Sequence, residues 1–142
     1  MKELTKLQLN RIWKTRGLDP KVGWFYIQFK NKFEEECFIA NINSQEAIKD
    51  LLNFLDNQKI KEVIFFPEPD FNLNGLPSGI IKTRDLEKFL KENEDKTTNT
   101  HIADKNLNWI FTITHEDDFL ISGNKKLVKE FVCFFKNAKT TF

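Results

Sequence analysis

The sequence contains few of the residues that typify small secreted or fibrous proteins. Its 142 residues include two cysteines, five glycines, four prolines and one methionine. Two cysteines are too few for a disulfide scaffold, so a hydrophobic core must stabilise the chain. The composition also lacks the Pro- and Gly-rich bias of disordered or collagen-like chains. This usage predicts a globular protein of a reducing compartment, the cytoplasm.

Long apolar runs are also missing. Runs such as Val63 to Phe66 are far shorter than the roughly 20 apolar residues that cross a bilayer. The N-terminal residues MKELTKLQLNRIWK lack an apolar core of signal-peptide length. The sequence therefore predicts no membrane partner.

An excess of one charge is missing as well, because the formal net charge is +1. Residues 1–33 carry eight basic and two acidic side chains, residues 34–123 carry nine and eighteen, and residues 124–142 carry five and one. Basic ends thus bracket an acidic middle. Near-neutrality gives no bulk electrostatic reason to expect nucleic acid or an anionic membrane as partner.

Phenylalanine, by contrast, is abundant. Fifteen Phe accompany three Trp and one Tyr. Aromatic rings bury large areas, and each ring pair adds about 0.5–1.5 kcal/mol. A chain of this length is the usual size of one domain, so residues 1–142 are predicted to form a single domain with an aromatic core.

The clearest strand pattern lies between Asn106 and Gly123. Apolar residues occupy every second position from Leu107 to Ile113, and the alternation resumes at Phe119 and Ile121. The acidic break Glu116 to Asp118 is short enough to join two antiparallel strands. The segment is therefore predicted to form a hairpin with one face towards a core.

The remaining elements follow from periodicity and capping residues. Hairpins outnumber strict alternation of strand and helix, which predicts the α+β class: a mostly antiparallel sheet of about five or six strands with three or four packed helices. Further strands are predicted at 24–30, 34–42, 61–66 and 100–104, with a long connection at 67–82 and a frayed tail at 138–142. Helices are predicted at 5–16 with a Thr5–Gln8 capping box, and from Gln45 to about 58 with Ser44 as the N-cap. Two more are predicted to end at about 94 and about 137, with Thr83 and Asn124 as their capping residues.

Metal binding would require the two histidines, His101 and His115, to converge with a carboxylate. A turn at Asp104 to Leu107 would place His101 opposite Ile110, on the sheet face that His115 does not share. The two rings would also lie on the order of 16 Å apart along the strands. No metal ligand and no cofactor are therefore predicted, and Glu116 to Asp118 are interpreted as a solvated hairpin loop.

Other catalytic chemistries have little support in the sequence. Adjacent carboxylates in an exposed turn lack the burial that separates pKa values for acid and base roles. No GxSxG, P-loop, GxGxxG or HExxH motif is present. No catalytic residue is predicted. A small hydrolase or ligand-binding domain that uses the 67–82 loop as a lid remains the alternative.

A third hypothesis is nucleic-acid binding through the basic N-terminal region. Six Lys or Arg side chains lie between Lys2 and Lys21, and Trp13 and Trp24 are interleaved with them. Such residues could neutralise phosphates and stack on bases. Overall neutrality and only three arginines favour the simpler interpretation, an amphipathic helix with a basic outer face.

Protein recognition is the function class that the sequence favours. The Pro-rich 67–82 loop and the hairpin tip place negative charge beside apolar side chains, which suits a basic protein surface. The predicted partner-binding residues are Glu68, Asp70, Phe71, His115, Glu116, Asp117 and Asp118.

The C-terminal quarter carries Trp109, then Thr114, His115 and Glu116, then Gly123 before the last helix. This pattern resembles small uncharacterised bacterial immunity-type proteins of toxin and contact-inhibition loci. The resemblance implies a small, cytoplasmic, non-catalytic protein that binds one cognate toxin domain and occludes its active site. It implies no particular contact residue, since such families vary at those positions. The leading hypothesis is an immunity-type inhibitor.

Overall fold

One antiparallel sheet of eight strands organises the described part of the chain. The computed structural model describes residues 1–15, 35–67, 75–97, 99–114 and 118–142, with side chains from Met1 to Ile12 in the first range. The predicted strand at 24–30 lies outside these ranges. The α+β class and the antiparallel arrangement are confirmed for the described residues.

The elements alternate irregularly along the chain. In chain order they are β1 (Lys2–Glu3), α1 (Lys6–Thr15), β2 (Glu35–Ala40), α2 (Ser44–Asn57), β3 (Glu62–Pro67), β4 (Gly79–Lys82), α3 (Thr83–Glu92), a 3-10 turn (Glu94–Lys96), β5 (Thr100–Ala103), β6 (Trp109–Ile113), β7 (Phe119–Gly123), α4 (Lys125–Val132) and β8 (Lys139–Thr141). In the sheet, neighbouring strands follow the order β1-β4-β3-β5-β6-β7-β2-β8.

The predicted hairpin, β6 with β7, lies in the middle of the sheet. Trp109 pairs with Gly123 and Ile113 with Phe119. Trp109, Phe111, Phe119 and Ile121 point to one face, as the alternation predicts, and join the main core. Helices α2, α3 and α4 cover this face, which we call the helix face.

Aromatic rings fill the space between the helix face and its helices. Phe54 of α2 meets Phe131 of α4 at 4.4 Å between ring centroids. It also meets Trp109 of β6 edge to face, at 5.8 Å and 85°. Phe131 lies 5.2 Å from Phe135 with nearly parallel planes. The abundance of phenylalanine therefore reflects this layer, where α2 and α4 both pack on the sheet and contact each other.

The opposite face of the sheet is apolar as well, because Ile110 and Leu120 of the hairpin form a second cluster there. Ile12 of α1 and Phe66 of β3 belong to the same cluster. Leu107 also belongs to it, so the prediction that Leu107 shares the face of Trp109 is wrong. Leu107 precedes β6 and has a positive φ of 56°, which takes its side chain out of the strand alternation.

Two predicted helix caps are confirmed. The backbone N–H of Gln8 donates to Thr5 Oγ1 at 3.2 Å, and the N–H of Thr5 donates to Gln8 Oε1 at 2.9 Å. This reciprocal pair is the predicted capping box. Asn124 caps α4 by accepting from the N–H of Leu127 at 2.8 Å.

Two other caps were predicted at the wrong residues. Asn43 caps α2 and accepts from the N–H of Glu46 at 2.9 Å, whereas Ser44 is already helical. Lys82 occupies the N-cap position of α3 without a side-chain cap. Thr83 Oγ1 instead donates to the carbonyl of Ile60 at 2.8 Å, so this hydroxyl ties α3 to the end of α2.

The prediction of five or six strands is too low for the described residues, because β1, β4 and β8 were not predicted. β1 and β8 are two and three exposed residues long, so they carry no buried alternation. β4 lies inside the predicted 67–82 loop, yet it pairs with β3 along Glu62 to Phe65.

The C-terminal segment differs from the prediction in two ways. Helix α4 ends at Val132, and two backbone turns follow, in which Phe134 donates to Phe131 and Phe135 to Val132. Residues 139–141 then pair with β2 as the edge strand β8. The predicted helix to 137 and the frayed tail are therefore wrong, because the chain must turn early to reach β2.

Candidate functional site

His101 is a core residue. Its side chain is fully buried, its Nδ1 lies 2.9 Å from Thr112 Oγ1, and its ring lies 5.0 Å from that of Phe66. His101 pairs with Thr112, not with Ile110 as predicted. The predicted face is nevertheless correct, because Thr112 and Ile110 have the same parity on β6.

The register differs because the β5–β6 connection is two residues longer than predicted. Asp104 organises this turn: its Oδ1 accepts from the N–H of Asn108 at 3.1 Å, and its carbonyl accepts from the N–H of Leu107 at 3.0 Å. Within the described ranges, no three His, Cys, Asp or Glu side chains lie close enough together to hold a metal ion.

Most of the predicted partner-binding residues lie outside the described ranges, namely Glu68, Asp70, Phe71, His115, Glu116 and Asp117. Asp118 lies within the described ranges and is half-buried. Its backbone N–H donates to Thr114 Oγ1 at 3.3 Å, and its carbonyl accepts from the N–H of Thr114 at 3.0 Å. Asp118 thus closes the hairpin through its backbone.

The helices that cover the helix face form a surface that the sequence did not predict. Two cavities of about 690 and 580 Å³ lie between α2 and α3, and Leu52 and Glu87 line both. Together they form one elongated depression, the α2–α3 groove. The larger cavity is lined by Leu52, Asp56, Lys59, Ile60, Lys61, Glu62, Lys82, Thr83, Arg84 and Glu87, and the smaller by Ser44, Gln45, Ile48, Lys49, Leu52, Asn53, Glu87, Leu90, Lys91 and Glu94.

The floor of the α2–α3 groove is apolar. Ile48, Leu52 and Ile60 are half-buried and pack against the main core, and Leu90 is buried beneath the smaller cavity. The walls carry charged side chains from both helices and from the chain between α2 and β3. An apolar centre with a charged rim is the usual anatomy of a protein-binding surface.

Positive charge dominates the larger cavity. Lys59, Lys61, Lys82 and Arg84 are all exposed. None of these four forms an ion pair with another residue of the described ranges. The larger cavity therefore presents cationic side chains that the described structure leaves uncompensated.

A second groove lies on the other side of α2, against residues 133–137. It has a volume of about 570 Å³ and is lined by Asp50, Asn53, Cys133, Phe134, Lys136 and Asn137. Burial, and to a smaller extent Glu46, raise the pKa of Asp50, whereas Lys49 lowers it. The exposed Cys133 donates through Sγ to the carbonyl of Lys129 at 3.2 Å.

The residues of the larger cavity could not be found from sequence without the β3–β4 pairing. Lys61 and Lys82 are 21 positions apart in the chain, and they become neighbours because Glu62 pairs with Lys82 in the sheet. The predicted connection at 67–82 includes the residues of β4, so it does not provide for this pairing. In the sequence alone, Lys59, Lys61, Lys82 and Arg84 are recognisable only as basic residues beside two apolar runs.

No protein-family model matches the chain, and no match was found among curated proteins or solved structures. None of the helices in the described ranges combines the length and apolarity that crossing a bilayer demands.

Proposed function

We propose that the chain is a non-catalytic, cytoplasmic protein-binding domain, an immunity-type inhibitor that occludes the active site of a cognate toxin. The observation that carries this proposal is the α2–α3 groove. Its half-buried apolar floor and charged rim match the composition of protein interfaces. The resemblance of the C-terminal quarter to immunity-type proteins supports the same function.

The environment of His101 supports a non-catalytic role for that residue. A general acid or base must reach the proton that it transfers. His101 is fully buried between Phe66 and Thr112, within the apolar cluster that faces α1. This imidazole therefore acts as a packing and hydrogen-bonding group.

The proposed complex uses two surfaces. The acidic residues Glu68, Asp70, Glu116 and Asp117 lie outside the described ranges, and we assign them to a basic surface of the toxin. The α2–α3 groove would hold a second, partly apolar segment of the same partner.

The test is co-expression of the chain with the product of the gene beside it in its native host. We expect restored growth, a stable complex in size-exclusion chromatography, and loss of the toxin's activity as the purified chain is added. Leu52→Arg, on the groove floor, should weaken inhibition. Lys125→Glu, an exposed change on α4, should not. Failure to form the complex, together with a metal or metabolite that copurifies with the chain, would overturn the proposal.

A further inference from the structure

We infer that the α2–α3 groove binds an acidic amphipathic segment of the protein partner, with its carboxylates against Lys59, Lys61, Lys82 and Arg84. This inference rests on the proposed function and specifies the chemistry of one contact. It also sets the groove apart from the acidic residues Glu68, Asp70, Glu116 and Asp117, which are assigned to a basic part of the partner.

The cationic side chains come from three elements that the fold brings together. Lys59 and Lys61 follow α2, Lys82 ends β4, and Arg84 lies in the first turn of α3. The N–H of Thr83 donates to the carbonyl of Lys61 at 2.8 Å, which fixes the start of α3 beside the end of α2. The cluster is therefore anchored by backbone contacts.

The carboxylates of the larger cavity compensate little of this charge. Glu62 binds Lys105 at 3.1 Å, and Glu87 binds Lys91 at 3.0 Å. Both lysines lie outside the lining of the larger cavity. Asp56 is the remaining acid among its described lining residues. Four cationic side chains thus stand against one carboxylate that has no described ion pair.

The start of α3 adds to the positive potential. Lys82 makes no side-chain cap, Asp85 of the first turn lies outside the lining of the larger cavity, and the N-terminus of a helix carries a partial positive charge. Carboxylates placed there would be attracted both by the cationic side chains and by the N-terminus of α3. The charge of the larger cavity therefore complements an acidic partner and repels a basic one.

The shape of the floor favours a segment over a small anion. Ile48 and Leu52 lie one turn apart on α2, about 6 Å at the rise of an α-helix, and Ile60 lies beyond the end of the helix, where it lines the larger cavity with Leu52. An isolated phosphate or carboxylate would leave this apolar strip exposed. An amphipathic segment would cover it while its acidic residues reach the cationic end, as in helix-in-groove recognition.

The experiment uses two synthetic helical peptides of about 14 residues, four turns. Both carry leucines at the same helical spacing, one with glutamates and the other with lysines at the flanking positions. Each is titrated into the ¹⁵N-labelled full chain. We expect the acidic peptide to shift the amide signals of residues 59–61 and 82–84, and the basic peptide to leave them unchanged.

Lys82→Glu combined with Arg84→Glu should abolish these shifts. Lys125→Glu combined with Lys126→Glu, two exposed changes on α4, should preserve them, and the spectra themselves report whether each variant is folded. Absence of shifts with the acidic peptide, equal shifts with the basic one, or shifts that survive the Lys82 and Arg84 reversals would overturn the inference. So would inorganic phosphate at the same concentration causing shifts as large as the acidic peptide does.

The two proposals fail in different ways. If the toxin is inhibited equally by the wild type and by the Lys82 and Arg84 reversal variant, the groove inference is wrong and the inhibitor function stands. If the acidic peptide binds as expected but no toxin is inhibited, the inhibitor function is wrong and the groove inference stands.

Discussion

His101 Nδ1 and Thr112 Oγ1 lie 2.9 Å apart, directly opposite each other on β5 and β6. Both side chains are fully buried on the sheet face that α1 covers. A polar group buried away from water costs stability unless a partner satisfies it. The pair therefore allows an imidazole to be buried on this face of the sheet.

This relationship predicts the effect of removing the hydroxyl. Thr112→Val keeps the shape of the side chain but removes the atom that His101 Nδ1 contacts. We expect the free energy of unfolding to fall by about 1–3 kcal/mol. Urea denaturation followed by circular dichroism measures the change.

Ser122 provides the matched control, because it is also a fully buried hydroxyl on the same sheet face. Its Oγ has no hydrogen-bond partner within the described ranges. Removing an unsatisfied hydroxyl costs little, so Ser122→Ala should change the free energy of unfolding by less than about 0.5 kcal/mol. Equal losses in the two variants would contradict the role assigned to the His101–Thr112 contact.

The N-cap of α2 gives a second prediction. The side chain of Asn43, not that of Ser44, accepts from the N–H of Glu46. Asn43→Ala should lower the free energy of unfolding by about 1 kcal/mol, the usual cost of losing a cap. Ser44→Ala should change it only slightly. Thermal unfolding of both variants separates the two positions, and a larger loss at Ser44 would refute the assignment.

The sequence was sufficient to predict the elements in which buried apolar side chains recur in a regular pattern. The β6–β7 hairpin could be predicted because Trp109, Phe111, Phe119 and Ile121 alternate and are buried. By contrast, β1 and β8 exist only through pairing with β4 and β2. Their exposed residues carry no local signal.

The candidate site was not predictable, for a related reason. The larger cavity of the α2–α3 groove depends on the register of β3 with β4 and on the contact of Thr83 with Ile60. Both are contacts between distant parts of the chain. Composition reports the number of lysines, but only strand pairing determines which of them share a surface.

The two cysteines should differ sharply in reactivity. Cys37 is fully buried, and its burial raises the pKa of the thiol; Glu35 raises it further, whereas a backbone hydrogen bond from Thr141 lowers it. Cys133 is exposed. Because the thiolate is the reactive form, iodoacetamide at pH 8 should label Cys133 in the folded chain and reach Cys37 only on unfolding.

Mass spectrometry of the labelled chain, with and without urea, measures both sites. A raised thiol pKa also means that the folded state favours the neutral thiol. Its contribution to stability is therefore lost as the pH rises above the ordinary value of 9.0. Labelling of both cysteines at similar rates in the folded chain would show that β2 is not covered as described.

Asp50 on α2 provides the last prediction, in the form of a pH dependence. Burial and Glu46 raise the pKa of its carboxyl above the ordinary value of 3.8. The folded state therefore binds this proton more tightly than the unfolded state does, and stability falls as the pH rises from 3.8 through the raised pKa.

Asp50→Asn removes this loss of stability at pH 7. We expect the free energy of unfolding to rise there by at most about 0.5 kcal/mol, since solvent screens a half-buried carboxylate. The gain should vanish near pH 3, where wild type and variant are both neutral at this position. Urea denaturation at the two pH values, with the exposed change Asp95→Asn as control, measures the difference, and a gain that persisted at pH 3 would have to come from packing instead of charge.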